Sequence, residues 1–234
     1  MKELINYIPI LTSVLAIYFS IELIKHYRVR PSRYILWWMI GVIAYGIGTI
    51  TESVNILFGW SELNFKFWYI SGALLGGAPL AQGTVYLLLK QKIANLLSIV
   101  LLLVIITAAV SVILSPVDAA AVVDNTLTGK VFIWQWVRYY SPFINIYAFI
   151  FLFGGAVYSA WKYYKGDRTD KRFLGNVYIA IGALLPGIGG SFTRFGYVEV
   201  LFVTELIGLS LIYLGYQVMK GDKTVSIHKS QQVA

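Results

Sequence analysis

Seven apolar stretches fill most of this 234-residue chain, and each is long enough to cross a lipid bilayer. A hydrocarbon core of about 30 Å requires about 20 helical residues. In chain order, spans one to seven are predicted at Leu4–Ile24, Tyr34–Phe58, Phe67–Leu89, Ala94–Leu114, Pro142–Trp161, Phe173–Phe192 and Tyr197–Met219. The sequence therefore predicts an all-α membrane protein built as a bundle of seven transmembrane helices.

The composition favours a membrane protein over a soluble one. Hydrophobic residues make up 58% of the chain and charged residues 13%, whereas an average soluble domain has about 25% charged residues. No shift in composition divides the chain, so we expect one transmembrane domain over residues 1–219. Residues 220–234 are predicted to form a short, disordered cytoplasmic tail.

Basic residues are distributed unevenly between the two ends of the predicted spans. Fourteen of the nineteen Lys and Arg residues follow spans one, three, five and seven. Positively charged residues near span ends remain in the cytoplasm, which predicts an external amino terminus and a cytoplasmic carboxyl terminus. The formal net charge of +8 therefore reflects topology. We expect the lipid bilayer, and no nucleic acid, as a partner.

The residue types that several kinds of catalysis need are missing or misplaced. The chain has no cysteine, which excludes thiol catalysis, and its two histidines, His26 and His228, lie near the cytoplasmic edge and in the tail. A zinc hydrolase needs several histidines and acids that converge on one site. We expect no metal site, no cofactor and no enzyme activity. An intramembrane hydrolase that uses acids alone stays open.

Two acidic residues lie well inside the predicted spans, where ionisable groups are costly and usually functional. Glu52 is about six residues from the outer end of span two, and Glu205 is about eight residues into span seven. At 1.5 Å per residue, both lie roughly 9 to 12 Å below the outer surface. Four residues of span two recur at helical spacing, and the stripe they form is predicted to face the bundle interior. They are Tyr45, Gly48, Glu52 and Asn55.

Two more polar residues are predicted near the same depth. Arg194 lies at the outer end of span six, and Asn145 lies near the outer end of span five. We predict a ligand-binding polar cluster at the bottom of an outward-facing cavity, formed by Glu52, Asn55, Asn145, Arg194 and Glu205. Two structural alternatives stay open: a buried ion pair that fixes the helices, or a glutamate kept neutral by burial that donates a hydrogen bond.

Spans three and six each contain a proline beside glycines. Pro79 follows Gly76 and Gly77, and Pro186 precedes Gly187. Proline removes an internal hydrogen bond and kinks a helix, so both prolines are candidate hinges or parts of a cavity wall. Close packing of small residues is the alternative.

The longest connection, Ser115–Ser141, is predicted to lie outside the membrane. A connection of this length in a compact bundle is often ordered or functional. Its Val131–Trp136 run is typical either of a strand in a hairpin lid or of a segment packed on the headgroups. We expect partial order.

The order of these features resembles the seven-transmembrane amino-terminal sensor region of bacterial histidine kinases. The segments that carry the resemblance are Lys25–Arg28, Trp37–Tyr45 with Glu52, Phe67–Tyr69 with Pro79, and Asp170–Arg172 leading into Gly182–Pro186. More distantly, the seven helices resemble microbial rhodopsin, but span seven has no interior lysine that would hold retinal.

This resemblance implies a receptor-like module in a bacterial cytoplasmic membrane that binds a small or lipophilic ligand and relays the signal inward. Fifteen residues follow Met219, so signalling is expected to use a cytoplasmic partner in trans. The alternative is a transporter or channel for protons, ions or small molecules that uses Glu52 and Glu205. A relay would have to continue through Gln82, Tyr45, Tyr86 and Tyr213, which are scattered among apolar residues. The oligomeric state stays open.

Overall fold

The computed structural model describes residues 5–123, 125–164, 170–193 and 195–221, and most of them are helical. In chain order the α-helices are α1 (Ile8–Val29), α2 (Arg33–Phe58), α3 (Glu62–Trp68), α4 (Ala78–Leu88), α5 (Gln91–Leu114), α6 (Tyr140–Ala148), α7 (Gly155–Tyr164), α8 (Lys171–Thr193) and α9 (Val198–Lys220). Two π-helical segments, Tyr69–Leu74 and Phe149–Gly154, follow α3 and α6.

Six helical stretches among the described residues are long and apolar enough to cross a membrane. They are Ile8–Val29, Arg33–Phe58, Gln91–Leu114, Gln135–Tyr164, Lys171–Thr193 and Val198–Lys220. Large aliphatic side chains along them are exposed, such as Leu11 on α1 and Leu103 on α5, as expected of surfaces that contact lipid. The predicted all-α, integral multi-pass membrane protein is confirmed at this level.

The predicted count of seven uninterrupted spans is not met, because span three is broken. The π-helical segment ends at Leu74, residues 75–77 are not helical, and α4 begins at Ala78. Pro79 therefore lies in the first turn of a new helix, where its missing N–H costs no hydrogen bond. The break leaves carbonyl groups without helical partners, and the Ala73 carbonyl accepts from Ser141 Oγ at 3.1 Å.

The bundle has two ends, which differ in charge. We call the end at which α1, α4 and α7 finish the basic end, and the end at which α2, α5 and α8 finish the loop end. Helices α1 and α2 run antiparallel between them, as shown by Ser13 Oγ donating to Thr49 Oγ1 at 3.0 Å. Residues 222–234 of the predicted tail lie outside the described residues.

Helices α8 and α9 pack through a seam of glycines. Gly175 and Gly182 are seven residues apart on α8, and they face Gly215 and Gly208 on α9. A Cβ built on Gly182 would lie 2.6 Å from the Gly208 carbonyl oxygen, closer than real side chains approach. The two helix backbones are therefore in direct contact, and Pro186 packs into the same seam beside Gly208.

The connection at the loop end is ordered by short turns. Within the described residues it contains three 3-10 helices, at Ala119–Ala121, Gly129–Val131 and Gln135–Tyr139. Val117 and Phe132 form one isolated antiparallel bridge, so the run 131–136 is not a strand of a hairpin. The Phe132 ring packs between Phe65 and Tyr69, with both ring centroids 4.9 Å away. This contact fixes the connection over α3.

Candidate functional site

The candidate site is built around Glu52, which lies on the inward stripe of α2. Only 4% of Glu52 is exposed. Trp68 Nε1 donates a hydrogen bond to its Oε1 at 3.0 Å. Glu52 lies six residues before the end of α2 at Phe58, which places it about 9 Å below the loop end.

Local contacts explain why Trp68 reaches Glu52. Ser61 caps α3, accepting a hydrogen bond from the Asn64 backbone N–H at 3.4 Å. The Asn64 side chain then donates to the Thr51 carbonyl at 2.8 Å. Trp68 follows Asn64 by four residues and shares its helical face, so it lies against the next residue of α2, Glu52.

Close backbone packing brings the two segments together beside this hydrogen bond. A Cβ built on Gly48 would lie 3.1 Å from the Gly72 Cα. Gly48 lies one turn before Glu52, and Gly72 lies one turn after Trp68. A larger residue at Gly48 would therefore separate the two segments and move the indole away from the carboxyl group.

Glu205 on α9 completes a pair of acids. The side chains of Glu52 and Glu205 are neighbours, and their carboxyl groups are close enough to interact electrostatically. The Tyr45 hydroxyl on α2 also donates a hydrogen bond to the backbone carbonyl of Glu205 on α9, at 3.0 Å. Helices α2 and α9 are therefore joined by polar contacts inside an otherwise apolar core.

Each glutamate keeps one oxygen unsatisfied. Oε2 of Glu52 and Oε2 of Glu205 are buried, and neither has a hydrogen-bond partner in the described part of the chain. Leaving a buried polar atom without a partner costs about 1–3 kcal/mol. A proton shared by the two carboxyl groups, or a ligand with donor groups, would supply the missing partner.

Asn55 connects this site to the loop above it. Its Nδ2 donates to the Asn125 carbonyl at 2.7 Å, and its Oδ1 is buried without a partner among the described residues. Asn125 has a φ of 53°, a left-handed conformation that asparagine tolerates better than most residues. The loop thus lies over the turn that follows Glu52.

The other predicted site residues lie elsewhere. The Asn145 amide donates to Ser141 Oγ at 3.0 Å and to the Ala73 carbonyl at 3.4 Å, so its described contacts are at the break in span three. Arg194 lies outside the described residues. Pro186 lies within the continuous helix α8, and its described role is packing.

A second polar group, which we call the Gln82 chain, runs from the bundle interior to the basic end. The Tyr147 hydroxyl donates to Gln82 Oε1, and Gln82 Nε2 donates to Ser98 Oγ at 2.8 Å. The Ser98 and Tyr86 hydroxyls are 2.9 Å apart. The chain continues from Tyr86 to Asn95 Oδ1 at 3.0 Å and ends at Arg33, whose guanidinium donates to the same oxygen.

Two arrangements were not predicted from the sequence. One is the hydrogen bond from Trp68 to Glu52. The other is the hydrogen-bonded chain that joins Gln82 to Tyr86. The small residues Gly48 and Gly72 are the signal that pairs Trp68 with Glu52, once the two segments are known to be neighbours.

Two open cavities on the described part of the chain lie away from the glutamates. One, of about 410 Å³, is apolar and lies between α7 and α8, with Val157, Trp161 and Leu184 among its lining residues. The other, of about 250 Å³, lies at the basic end beside Arg33. No group of three His, Asp or Glu residues suited to a metal ion occurs within the described ranges.

The sequence matches no known protein family, and no curated protein is significantly similar to it.

Proposed function

We propose that this protein is a membrane-embedded, receptor-like sensor with seven transmembrane spans. Residues 62–88 would cross the bilayer as a broken third span, and the loop end would face outward because basic links remain in the cytoplasm. The observation that carries this proposal is the pair of neighbouring acids Glu52 and Glu205, each with a buried oxygen that lacks a described partner. The hydrogen bond from Tyr45 to the Glu205 carbonyl joins α2 to α9 beside this pair, beneath an ordered loop.

The pair is suited to respond to a stimulus because it is incompletely satisfied. Both carboxyl groups hold a buried oxygen without a donor in the described part of the chain. A small or lipophilic ligand that supplies hydrogen-bond donors or positive charge would bind here more tightly than water does. Access would come from the loop end, past Asn55 and Asn125.

The signal would travel along α9 to the basic end. Helix α9 ends beside α1, where Lys220 Nζ lies 2.7 Å from Glu22 Oε2 and the Tyr216 hydroxyl lies 2.8 Å from His26 Nδ1. A change at Glu205 would therefore reach contacts at the opposite end through one helix. A cytoplasmic partner in trans would read that change.

Hydrogen-exchange mass spectrometry on the full chain in phospholipid nanodiscs tests this coupling. Glu205→Gln replaces the carboxyl group with an amide while keeping the shape of the side chain. We expect it to change amide exchange in loop residues 115–139 and also in residues 215–221 at the basic end. Glu52→Gln is expected to produce the same pattern, because both variants alter one pair.

Glu62→Gln is the matched control. Glu62 is an exposed acid at the loop end that pairs with Lys66 at 2.7 Å, so its loss changes charge at the surface alone. We expect no change beyond α3. If Glu205→Gln alters exchange only within its own helix turn, the pair is a structural contact and the sensor proposal fails.

Transport is the second candidate, and two observations favour it. Broken spans place helix ends inside the membrane, as in many transporters, and the Gln82 chain provides polar groups toward the basic end. The described hydrogen bonds do not connect that chain to the glutamates, and the core cluster around Tyr45 is apolar, with Leu80 and Leu209 among its members.

Proton flux into liposomes separates the two functions. A transporter would show a pH-driven flux that Glu205→Gln and Gln82→Leu each abolish, and that Glu62→Gln leaves unchanged. A sensor would show no flux above that of empty liposomes, together with the exchange changes described above.

A further inference from the structure

The cavity at the basic end lies where two helices begin. Arg33 and Tyr34 line it from the first turn of α2, and Gln91 lines it from the first residue of α5. Tyr86 and Leu89 close it from the end of α4. Because these residues lie at the ends of apolar helices, the cavity is at the level of the lipid headgroups.

Arg33 is held in this cavity by neutral groups. Its guanidinium donates to Asn95 Oδ1, and its Cζ lies 5.8 Å from the centroid of the Tyr86 ring. Among the described residues no carboxylate pairs with it. Two acids are described at this end: Glu22 pairs with Lys25 and Lys220, and Asp170 accepts a hydrogen bond from the Arg172 backbone N–H. Arg33 is therefore positioned by its neighbours while its charge is not neutralised.

The two helix starts add to the positive potential of the cavity. Neither Ser32 before α2 nor Lys90 before α5 caps its helix with a side-chain hydrogen bond, and neither first turn contains an acid. Ser32 Oγ is buried without a partner among the described residues. Free N–H groups and the helix dipole make such starts favourable for anions. Lys92 lies on the same side, exposed.

We propose that this cavity binds a phosphate group, and that its source is an anionic phospholipid in the leaflet at the basic end. The planar guanidinium offers five N–H donors in a fork that matches phosphate oxygens. In the described structure one of these donors is engaged, with Asn95. This site is separate from the glutamates and goes beyond the proposed function.

A phosphate bound in this cavity would also restrict side chains in the bundle interior. Arg33 and a bound phosphate would share the cavity with the Tyr86 ring, and Tyr86 belongs to the Gln82 chain. A phosphate that fixes Arg33 would also fix Asn95, and through Tyr86 and Ser98 the position of Gln82. The lipid would thereby hold α2, α4 and α5 in one arrangement.

Native mass spectrometry of the full chain in detergent micelles tests the site, since it counts the lipids that remain bound. The probes are dioctanoyl phosphatidylglycerol, dioctanoyl phosphatidylcholine and inorganic phosphate. We expect phosphatidylglycerol to bind more tightly than phosphatidylcholine, because Lys90 and Lys92 repel the choline cation. Arg33→Gln is expected to weaken phosphatidylglycerol binding about tenfold, as the loss of a hydrogen bond to a charged group implies.

Arg30→Gln is the matched control, because it removes the same charge from an exposed residue of the same link that does not line the cavity. We expect this control to change affinity less than twofold. If Arg33→Gln does not yield folded protein, Arg33→Lys is compared with Arg30→Lys, because lysine keeps the charge and loses the planar fork.

Three results would overturn the proposal or its choice of a lipid. Equal weakening in the Arg33 and Arg30 variants would show general attraction to basic residues, and retention of affinity in Arg33→Gln would show that the lipid binds elsewhere. Displacement of the lipid by millimolar inorganic phosphate would support the phosphate site but overturn the lipid as its source. Failure of inorganic phosphate to displace the lipid supports the lipid.

Discussion

Replacing Trp68 with phenylalanine tests whether the hydrogen bond to Glu52 stabilises the bundle. The indole N–H donates to Glu52 Oε1 at 3.0 Å, and Glu52 Oε2 already has no partner in the described part of the chain. Phenylalanine keeps an aromatic ring in the same place but removes the donor. The second carboxyl oxygen then also loses its described partner, which costs about 1–3 kcal/mol of unfolding free energy.

Trp60 provides a closely matched control for this substitution. The rings of Trp60 and Trp68 both have centroids 6.1 Å from that of Phe65, with interplanar angles of 30° and 32°. Trp60 Nε1 is buried without a partner in the described part of the chain. Trp60→Phe thus loses similar ring area but removes an unsatisfied donor, so it is expected to be less destabilising.

The assay is thermal unfolding of the full chain in detergent, followed by the fluorescence of the remaining tryptophans. We expect Trp68→Phe to lower Tm by several degrees more than Trp60→Phe does. In a Glu52→Met background, which has no carboxyl acceptor, this difference should disappear. Equal Tm shifts for the two tryptophan variants with Glu52 intact would refute the stabilising role of the hydrogen bond.

Three further predictions follow from other contacts. Gly182→Ala should destabilise the protein by about 1–3 kcal/mol, because the added Cβ would lie 2.6 Å from the Gly208 carbonyl oxygen. Gly187→Ala on the same helix is the control: a Cβ there would have no atom within 4 Å, so this variant should not lower Tm. Asn55→Ala should raise hydrogen exchange in loop residues 115–139 and leave α5 unchanged, since it removes the bond to the Asn125 carbonyl. Gln82→Leu should lower the unfolding free energy by about 1–3 kcal/mol, measured by denaturant titration, because Gln82 satisfies three buried partners.

The membrane class and the inward stripe of α2 were predictable because both depend on short-range patterns. Apolar length alone indicates a span, and helical spacing alone places Glu52 on the face it occupies. The glycines at 175, 182, 208 and 215 also follow a seven-residue pattern that is visible in the sequence. That pattern was not used in the prediction, although it marks the seam between α8 and α9.

The break in span three was not predictable in this way. Gly76, Gly77 and Pro79 indicated a kink, but a full break requires other groups to satisfy the freed carbonyls. Ser141 supplies that partner from a segment almost seventy residues away, and Ala148 packs against Gly77. Neither contact leaves a signal in the sequence of span three itself.

Helix α9 packs on α8 through the glycine seam and contacts Glu52 at one end of the bundle and Glu22 at the other. These contacts indicate how the bundle moves. Because the backbones of α8 and α9 touch at Gly182 and Gly208, we expect the two helices to move as one unit. At the loop end this unit is held by the contact between Glu205 and Glu52, which is incompletely satisfied and easily altered. At the basic end it is held by Lys220 and Glu22, an ion pair that a ligand at the loop end does not reach. We therefore expect the α8–α9 unit to tilt when the glutamates separate, and this tilt would alter the contact between Lys220 and Glu22 at the basic end.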